Sequence, residues 1–334
     1  MILAGDIGGT KTNLGLFEVQ GEALQSRWQE SFPSQGFGGL EAIVSTFLTR
    51  VEEGATSEKP VVRAACFGVA GPIVAGECVT PNLPWMVSAQ NLAQAIKLSS
   101  VTLINDLEAT AHGIGELKPE EMITLNEGQL APGNAGLIAA GTGLGEASLF
   151  WDGQRLRPSA SEGGHVDFAP RNQLEIELLE YLIARYGHVS VERVLSGPGL
   201  ATIYDFLSQV KHYQPSPEVA ARFERQDKSS VISSAALSGE CKLSVRALDL
   251  FTAIYGATAG NLALMLKATG GMYLGGGIAP KILAKLKEGT FIKAFLSKGR
   301  LSSLLEAVPV RVIMNDKTAL LGAARVAAEA VKKS

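Results

Sequence analysis

Short apolar runs that stop abruptly at glycine or at a polar pair recur along this chain. They predict strands that present chemistry at their carboxyl ends. Ile2-Leu-Ala runs into Asp6-Ile-Gly-Gly-Thr-Lys11, and Val61–Val69 into Ala70-Gly-Pro-Ile73. Val101–Ile104 delivers Asn105 and Asp106, and Leu137-Ile-Ala-Ala stops at Gly141-Thr-Gly-Leu-Gly145. Gly271–Leu274 meets Gly275–Gly277, and Val308–Met314 is the last such run. Between them the spacing turns helical over Leu40–Glu53, Ser88–Ile96, Asn172–Tyr186, Leu200–Val210, Ser244–Lys267 and Lys317–Val331. After Lys11 and after Gly145 the pattern alternates instead (Leu14, Leu16, Val19; Ala147, Leu149, Trp151), which gives strand–turn–strand twice. Strands interleaved with helices make this an α/β chain.

Punctuation refines the picture. Asn172 with Glu175 reads as a helix cap and its reciprocal partner, and Ser88 as another cap. Val191–Leu195 reads as a short helical piece ended by Gly197-Pro-Gly199, and Pro280 as the first turn of a helix through Leu286. His212–Ser230, with two prolines and mixed charges, reads as a surface excursion. Asp316 at the start of the last helix and Lys332-Lys333 at its end complement the helix dipole.

Bulk properties narrow the function classes. At 334 residues the length suggests about two domains. A net charge of −3 gives no electrostatic case for nucleic acid. Cys66, Cys78 and Cys241 have neither metal spacing nor a paired framework, which fits a reducing cytoplasm. The Leu250–Leu266 stretch is uncharged but carries Thr252, Thr258 and Asn261, and suits a buried helix better than a membrane span.

Candidate chemistry sits at the strand ends. The first glycine turn lacks the spacing of a P-loop and leads into a strand, yet such a turn offers backbone N–H groups to an anion. Asp6 beside it is the kind of carboxylate that holds hydrated magnesium with phosphate oxygens. Gly141–Gly145 repeats the layout, without the following helix that a dinucleotide fingerprint needs. Three glycines at 275–277 before a helix allow a flat or anionic group against backbone. Asp106 can take a proton from a hydroxyl held by Asn105, although alone it reads as readily as a helix cap. Asn82, in a loop with two prolines, is a ligand contact or a turn residue, with turn favoured. Glu162-Gly-Gly-His165 puts an acceptor and a donor/acceptor on backbone that can approach a ligand closely, with no second His or Cys to suggest a metal.

As an ordered set, Asp6–Thr10, Asn105-Asp106, Gly141–Gly145, Glu162–His165, Glu192 and Leu274–Gly277 closely resemble the bacterial glucokinase family of the hexokinase/actin-like ATPase superfamily. The likeness spans nearly the whole chain, and Glu162–Pro170 and Val189–Gly199 are its most specific stretches. It implies a two-domain actin-like ATPase (ribonuclease H-like) fold with a cleft, residues 1–107 plus 316–334 forming a small domain and 108–315 a large one. It implies phosphorylation of glucose at the 6-hydroxyl by ATP with Mg2+, in a cytoplasmic homodimer. Carried over residue by residue, Asp106 matches the general base. Asn105, Glu162, His165 and Glu192 match sugar contacts. Asp6, Gly8, Gly9 and Thr10 match the first phosphate and magnesium loop, Gly141, Thr142 and Gly143 the second, and Gly275, Gly276 and Gly277 the nucleoside side. Lys11 stands where many relatives carry Asn, and it receives no role.

Three rivals stay open at this stage. A kinase of the repressor/open-reading-frame/kinase group would act on another hexose, but that group typically carries a Cys-rich zinc motif not found here. A sugar-responsive transcription factor of that group would need an N-terminal DNA-binding domain ahead of Asp6. A mechanical ATPase shares the glycine turns but has no use for Glu162–His165.

Overall fold

The computed structural model describes residues 1–55, 59–80 and 83–333. These fall into two compact units, Met1–Pro119 with the segment from Asn315 onward, and Glu120–Met314. The helix that begins at Asp106 therefore lies within the first unit, past the cut at 107 drawn from the sequence. Membrane-span length and apolarity are reached by no helix among the described residues.

The first unit is built on β1 (Ile2–Ile7), β2 (Lys11–Gln20), β3 (Ala23–Pro33), β4 (Ala64–Val69) and, further on, β8 (Thr102–Asn105), in the order β3-β2-β1-β4-β8. β1, β4 and β8 run parallel, whereas β2 and β3 fold back as an antiparallel meander. Between β4 and β8, β5 (Ile73–Val74), β6 (Glu77–Val79) and β7 (Met86–Ser88) form a small antiparallel sheet. The side chains of β1 alternate between two cores, as a strand covered on both faces requires. Leu3 and Ile7 join Leu14, Leu16, Phe67 and the Leu40–Gly54 helix, which contributes Leu40, Ile43, Val44, Phe47 and Val51. Ile2 and Ala4 meet Phe17, Cys66 and an alanine stripe, Ala323, Ala324, Ala327 and Ala328, on the C-terminal helix Thr318–Lys333.

The second unit repeats this order. Its strands are β9 (Met122–Asn126), β10 (Ala135–Ala140), β11 (Leu144–Trp151), β12 (Leu156–Ser161), β13 (Gly271–Gly275) and β14 (Val310–Ile313), arranged β12-β11-β10-β13-β14-β9. Again three parallel strands (β10, β13, β14) carry a two-strand antiparallel flap on one side, and β9 is an antiparallel addition at the other edge. The Lys242–Leu266 helix packs in the core of this unit. Gly256 and Gly260 let the Thr290–Leu296 helix come close, since a Cβ at Gly256 would lie 2.1 Å from the Phe291 carbonyl oxygen.

Several local expectations are corrected. The strand expected from Val61 begins at Ala64, because Val61 and Arg63 use their backbone groups to hold the chain start (Met1 N to Val61 O, 2.8 Å; Arg63 N to Met1 O, 2.8 Å). Gly197-Pro-Gly199 opens the Gly197–Gln209 helix rather than ending the piece before it, with Ser196 as cap (Gly199 N to Ser196 Oγ, 3.1 Å). Proline tolerates a first turn, and a Cβ at Gly199 would sit 2.6 Å from the Val194 carbonyl carbon. The helix expected through Leu286 is two short pieces, Ile278–Lys281 and Leu283–Lys287. His212–Ser230 contains the Pro217–Arg222 helix and the start of another at Lys228.

Candidate functional site

In the first unit the carboxyl ends of three adjacent parallel strands meet. Asp6 is the penultimate residue of β1, Ala70-Gly71 follows β4, and Asn105-Asp106 ends β8 and begins the Asp106–Gly113 helix. Asn105 supplies the cap: its Oδ1 accepts the Leu107 N–H at 2.9 Å, and its Nδ2 donates to the Gly71 carbonyl at 3.2 Å. Asp106 is the first helical residue, and its Oδ1 also accepts from Leu107 N at 2.9 Å. Burial outweighs these bonds and raises the Asp106 carboxyl above the usual range.

Asp6 faces the same end. Asn13 on β2 donates its Nδ2 to Asp6 Oδ2 (3.1 Å) and is itself held by the Ser31 hydroxyl (2.7 Å). Burial, with added repulsion from Asp106 and Asp316, pushes Asp6 up to about 6, against the pull of Asn13 and Lys11. The turn is rigidly braced: Gly8 N bonds Lys11 O (3.0 Å), and Ser34 donates its hydroxyl to Gly8 O (2.7 Å) and its N–H to Thr10 O (3.0 Å). The Gly8 amide is thus committed within the turn, and Gly9 and Thr10 form its tip.

In the second unit four motifs gather on the Gly141–Gly145 turn. Glu192 Oε2 accepts the Leu144 N–H at 2.8 Å and occupies the space where a Cβ on Gly143 would go, 2.6 Å away. A Cβ at Gly164 would lie 2.0 Å from the Leu144 carbonyl oxygen, so the Glu162–His165 turn lies directly on the same residue. Gly276, at φ +76°, would place a Cβ 2.3 Å from the Ala140 carbonyl oxygen, which brings the 275–277 turn against the end of β10. Gly197 N donates to Gly141 O at 2.8 Å. Gly141 N–H bonds Gly143 O (2.8 Å), leaving Thr142 and Gly143 at the tip. Glu162 and His165 are both exposed, with His165 Nε2 3.9 Å from Glu162 Oε2.

Within each unit, then, the candidate residues read from the sequence come together, except Asn82, which lies outside the described residues. The residues that brace them (Asn13, Ser31, Ser34) and the buried Glu146 escaped notice, because none carries a motif. Alternation along the β11 sequence placed Ala147 and Leu149 inward and gave no warning of a buried glutamate between the turn and them. Among the described residues, no group of three or more His, Cys, Asp or Glu side chains is disposed to hold a metal.

Two parallel-cored sheets with the same strand order, each presenting a glycine turn where a central strand folds back into its antiparallel neighbour (β1 to β2, β10 to β11), define a two-domain α/β protein of the actin-like ATPase fold. The comparisons agree. The glucokinase family model matches residues 3–330. A glucokinase from Nostoc sp. is 42% identical, over 98% of this chain and 99% of its own length. The crystal structure of a glucokinase from an Antarctic psychrotroph superposes with a TM-score of 0.86 at 33% identity, covering 98% of each chain. A ROK-family glucokinase from Streptomyces griseus, solved with glucose and AMPPNP, shares the fold at a TM-score of 0.63 and 21% identity, over 98% of this chain and 99% of that one. The chain belongs to the glucokinase family.

Proposed function

We propose that this enzyme transfers the γ-phosphoryl group of MgATP to the 6-hydroxyl of glucose, with Asp106 as general base. Family membership supports the reaction. The observation that carries the assignment of the base is that Asn105, not Asp106, caps the helix. A half-buried carboxylate at a strand's carboxyl end, with its capping duty held by a neighbour, is suited to proton transfer, and its raised affinity for a proton makes it a stronger base than a solvated aspartate.

In this reading Glu162, His165, Glu192 and Asn105 hold the sugar hydroxyls. Glu192 and Asn105 keep acceptor or donor capacity beyond the bonds they already make. Asp106 accepts the proton as the O6–phosphorus bond forms and the bond from phosphorus to the leaving oxygen of ADP breaks, and releases it afterwards to solvent. The tips at Gly9-Thr10 and Thr142-Gly143 face phosphate oxygens, and Gly275–Gly277 the nucleoside. Magnesium arrives with the nucleotide as part of the substrate, and its charge offsets that developing on the phosphoryl oxygens. Asp6 fits it: a half-buried carboxylate crowded by Asp106 and Asp316 gains from a nearby cation, whose shell water and phosphate oxygens would complete.

The test is coupled ADP release from MgATP with glucose, fructose, mannose, N-acetylglucosamine or no sugar. Glucose-dependent turnover with little from fructose is expected. Sugar-independent hydrolysis, or turnover with another sugar alone, sinks the reading.

Asp6 adds a pH prediction. Its carboxyl is pushed up to about 6, so it is ionised at neutral pH and takes up a proton as pH falls through that value. The KM for MgATP is expected to rise on going from pH 7.5 to 5.5, and Asp6→Asn to give a high KM that no longer depends on pH in this window. A parent enzyme with constant KM for MgATP across it contradicts the role.

A further inference from the structure

Glu146 is the side chain that the family reading leaves without a task. It lies on β11 two residues beyond Leu144, is 3% exposed, and pairs in register with Ser161, whose hydroxyl donates to the Glu146 carbonyl at 2.8 Å. The Glu162-Gly-Gly-His165 turn rests on it without a gap. A Cβ at Gly163 would stand 2.5 Å from Glu146 Oε2 and 2.9 Å from its Cβ, so glycine is the residue that fits there. Among the described residues no donor reaches the Glu146 carboxyl, although a buried ionised carboxylate needs several.

Its surroundings confirm the isolation. Glu146 borders a small recess of about 50 Å3, open to solvent, with apolar walls that include Val166, Phe168 and Ile254. The cations near this recess are engaged with other partners. Arg171 donates its Nε and Nη2 to Glu175, and Lys298 Nζ bonds Asn261 Oδ1 at 2.6 Å and the Ala257 carbonyl at 3.0 Å. Asp167, also on the rim, is exposed and lies 2.8 Å from His188 Nε2. On the turn itself Glu162 is a like charge, and His165 is exposed.

We propose that Glu146 is a positioning residue for the sugar, holding the Glu162–His165 turn in its glucose-binding form while its carboxyl is neutral and releasing it when the carboxyl ionises. The proposal rests on the sugar-contact reading of that turn. A neutral carboxyl packs as a compact polar group under Gly163. An ionised one must recruit water through the recess, and the turn that rests on it at Gly163 is a wall of its enclosure. Burial alone pushes this carboxyl up to about 7, which puts the change between pH 6 and 8.5. Glu146 touches no reacting atom, so the effect falls on glucose binding rather than on the phosphoryl-transfer step.

The experiment measures kcat and KM for glucose at saturating MgATP from pH 6 to 8.5, for the parent and for Glu146→Gln, which is neutral at every pH. The parent's KM is expected to rise about tenfold with kcat changing less than about twofold, a coupling of ordinary size. Glu146→Gln is expected to keep the parent's low-pH KM throughout. Parallel pH profiles in the two proteins, or a Gln variant whose KM is already raised at pH 6, overturn the proposal. Amide hydrogen exchange of the segment 161–168 in the parent, corrected for intrinsic rates, decides independently of turnover and of whether the variant folds. Faster exchange at pH 8.5 than at pH 6 is expected, and unchanged protection overturns the idea. A parent that does not phosphorylate glucose removes the sugar-binding reading, while the exchange measurement still decides whether Glu146 controls the turn.

Discussion

Asp106→Asn is expected to lower kcat by at least about a hundredfold while leaving the fold and the glucose affinity nearly unchanged. Asparagine has the same shape, and its Oδ1 can still accept the Leu107 N–H that Asp106 accepts at 2.9 Å. The helix keeps its true cap, because Asn105 supplies that bond and ties the strand end to Gly71. What disappears is the capacity to take a proton. Glucose binding followed by tryptophan fluorescence, alongside kcat and a melting curve, separates the contributions. A kcat within tenfold of the parent would assign the base to another group, and a large drop in melting temperature would show that Asp106 is structural after all. Since burial raises the Asp106 carboxyl, the parent's kcat should fall with decreasing pH from a higher value than an exposed aspartate would give.

The second large effect concerns stability. Gly322→Val is expected to cost about 3 kcal/mol or more, and to lower the melting temperature by roughly 10 °C. The C-terminal helix meets the Asp106–Gly113 helix backbone to backbone at Gly322. A Cβ at Gly322 would fall 1.8 Å from the Ala109 carbonyl oxygen and 2.6 Å from the Gly113 nitrogen. The contact is reciprocal, since a Cβ at Gly113 would lie 2.0 Å from the Thr318 carbonyl oxygen. Backbone atoms obstruct on both sides, so rotamer adjustment gives no relief and the helices must move apart. That separation would also uncover part of the alanine stripe packed on Ile2, Ala4 and Cys66. Gly115→Ala is the matched control, because nothing lies within 4 Å of a Cβ there. Calorimetry on both variants checks the claim, and a Gly322→Val protein melting within about 2 °C of the parent refutes it.

How much of this was legible beforehand depended on burial. β1, β4, β8, β10 and β13 are core strands whose apolar runs end at turns or polar pairs, and each was found from the sequence within a few residues. β3 and β12 were missed. They are flap edges with mostly exposed side chains, so no apolar rhythm marks them. The short strands β5, β6 and β7 offer too few residues for a period to register. Gly197-Pro-Gly199 misled because glycine and proline punctuate both ends of helices, and only the Ser196 hydroxyl on the Gly199 amide resolves which end this is. Likewise the sequence could not say whether Asn105 or Asp106 caps the helix, since both side chains are suited to it. The motif residues stood out as letters. Their supports, Asn13 beneath Asp6 and Glu146 beneath Gly163, are ordinary residues whose significance is a distance.

The repeated strand order also shows how labour is divided inside one molecule. Matching the two sheets strand for strand sets Asp6, penultimate in β1, against Ala139 in β10, and Asp106, just beyond β8, against Met314, just beyond β14. One copy of the design keeps its acids at the strand ends, and the other has an alanine and a methionine there. The second copy is distinguished instead by glycines, and by turns inserted around Leu144 that the first copy lacks. A single architecture, used twice, has been made asymmetric by side chains and by inserted turns, so that one half keeps acids at its parallel strand ends and the other crowds its glycine turn with backbone.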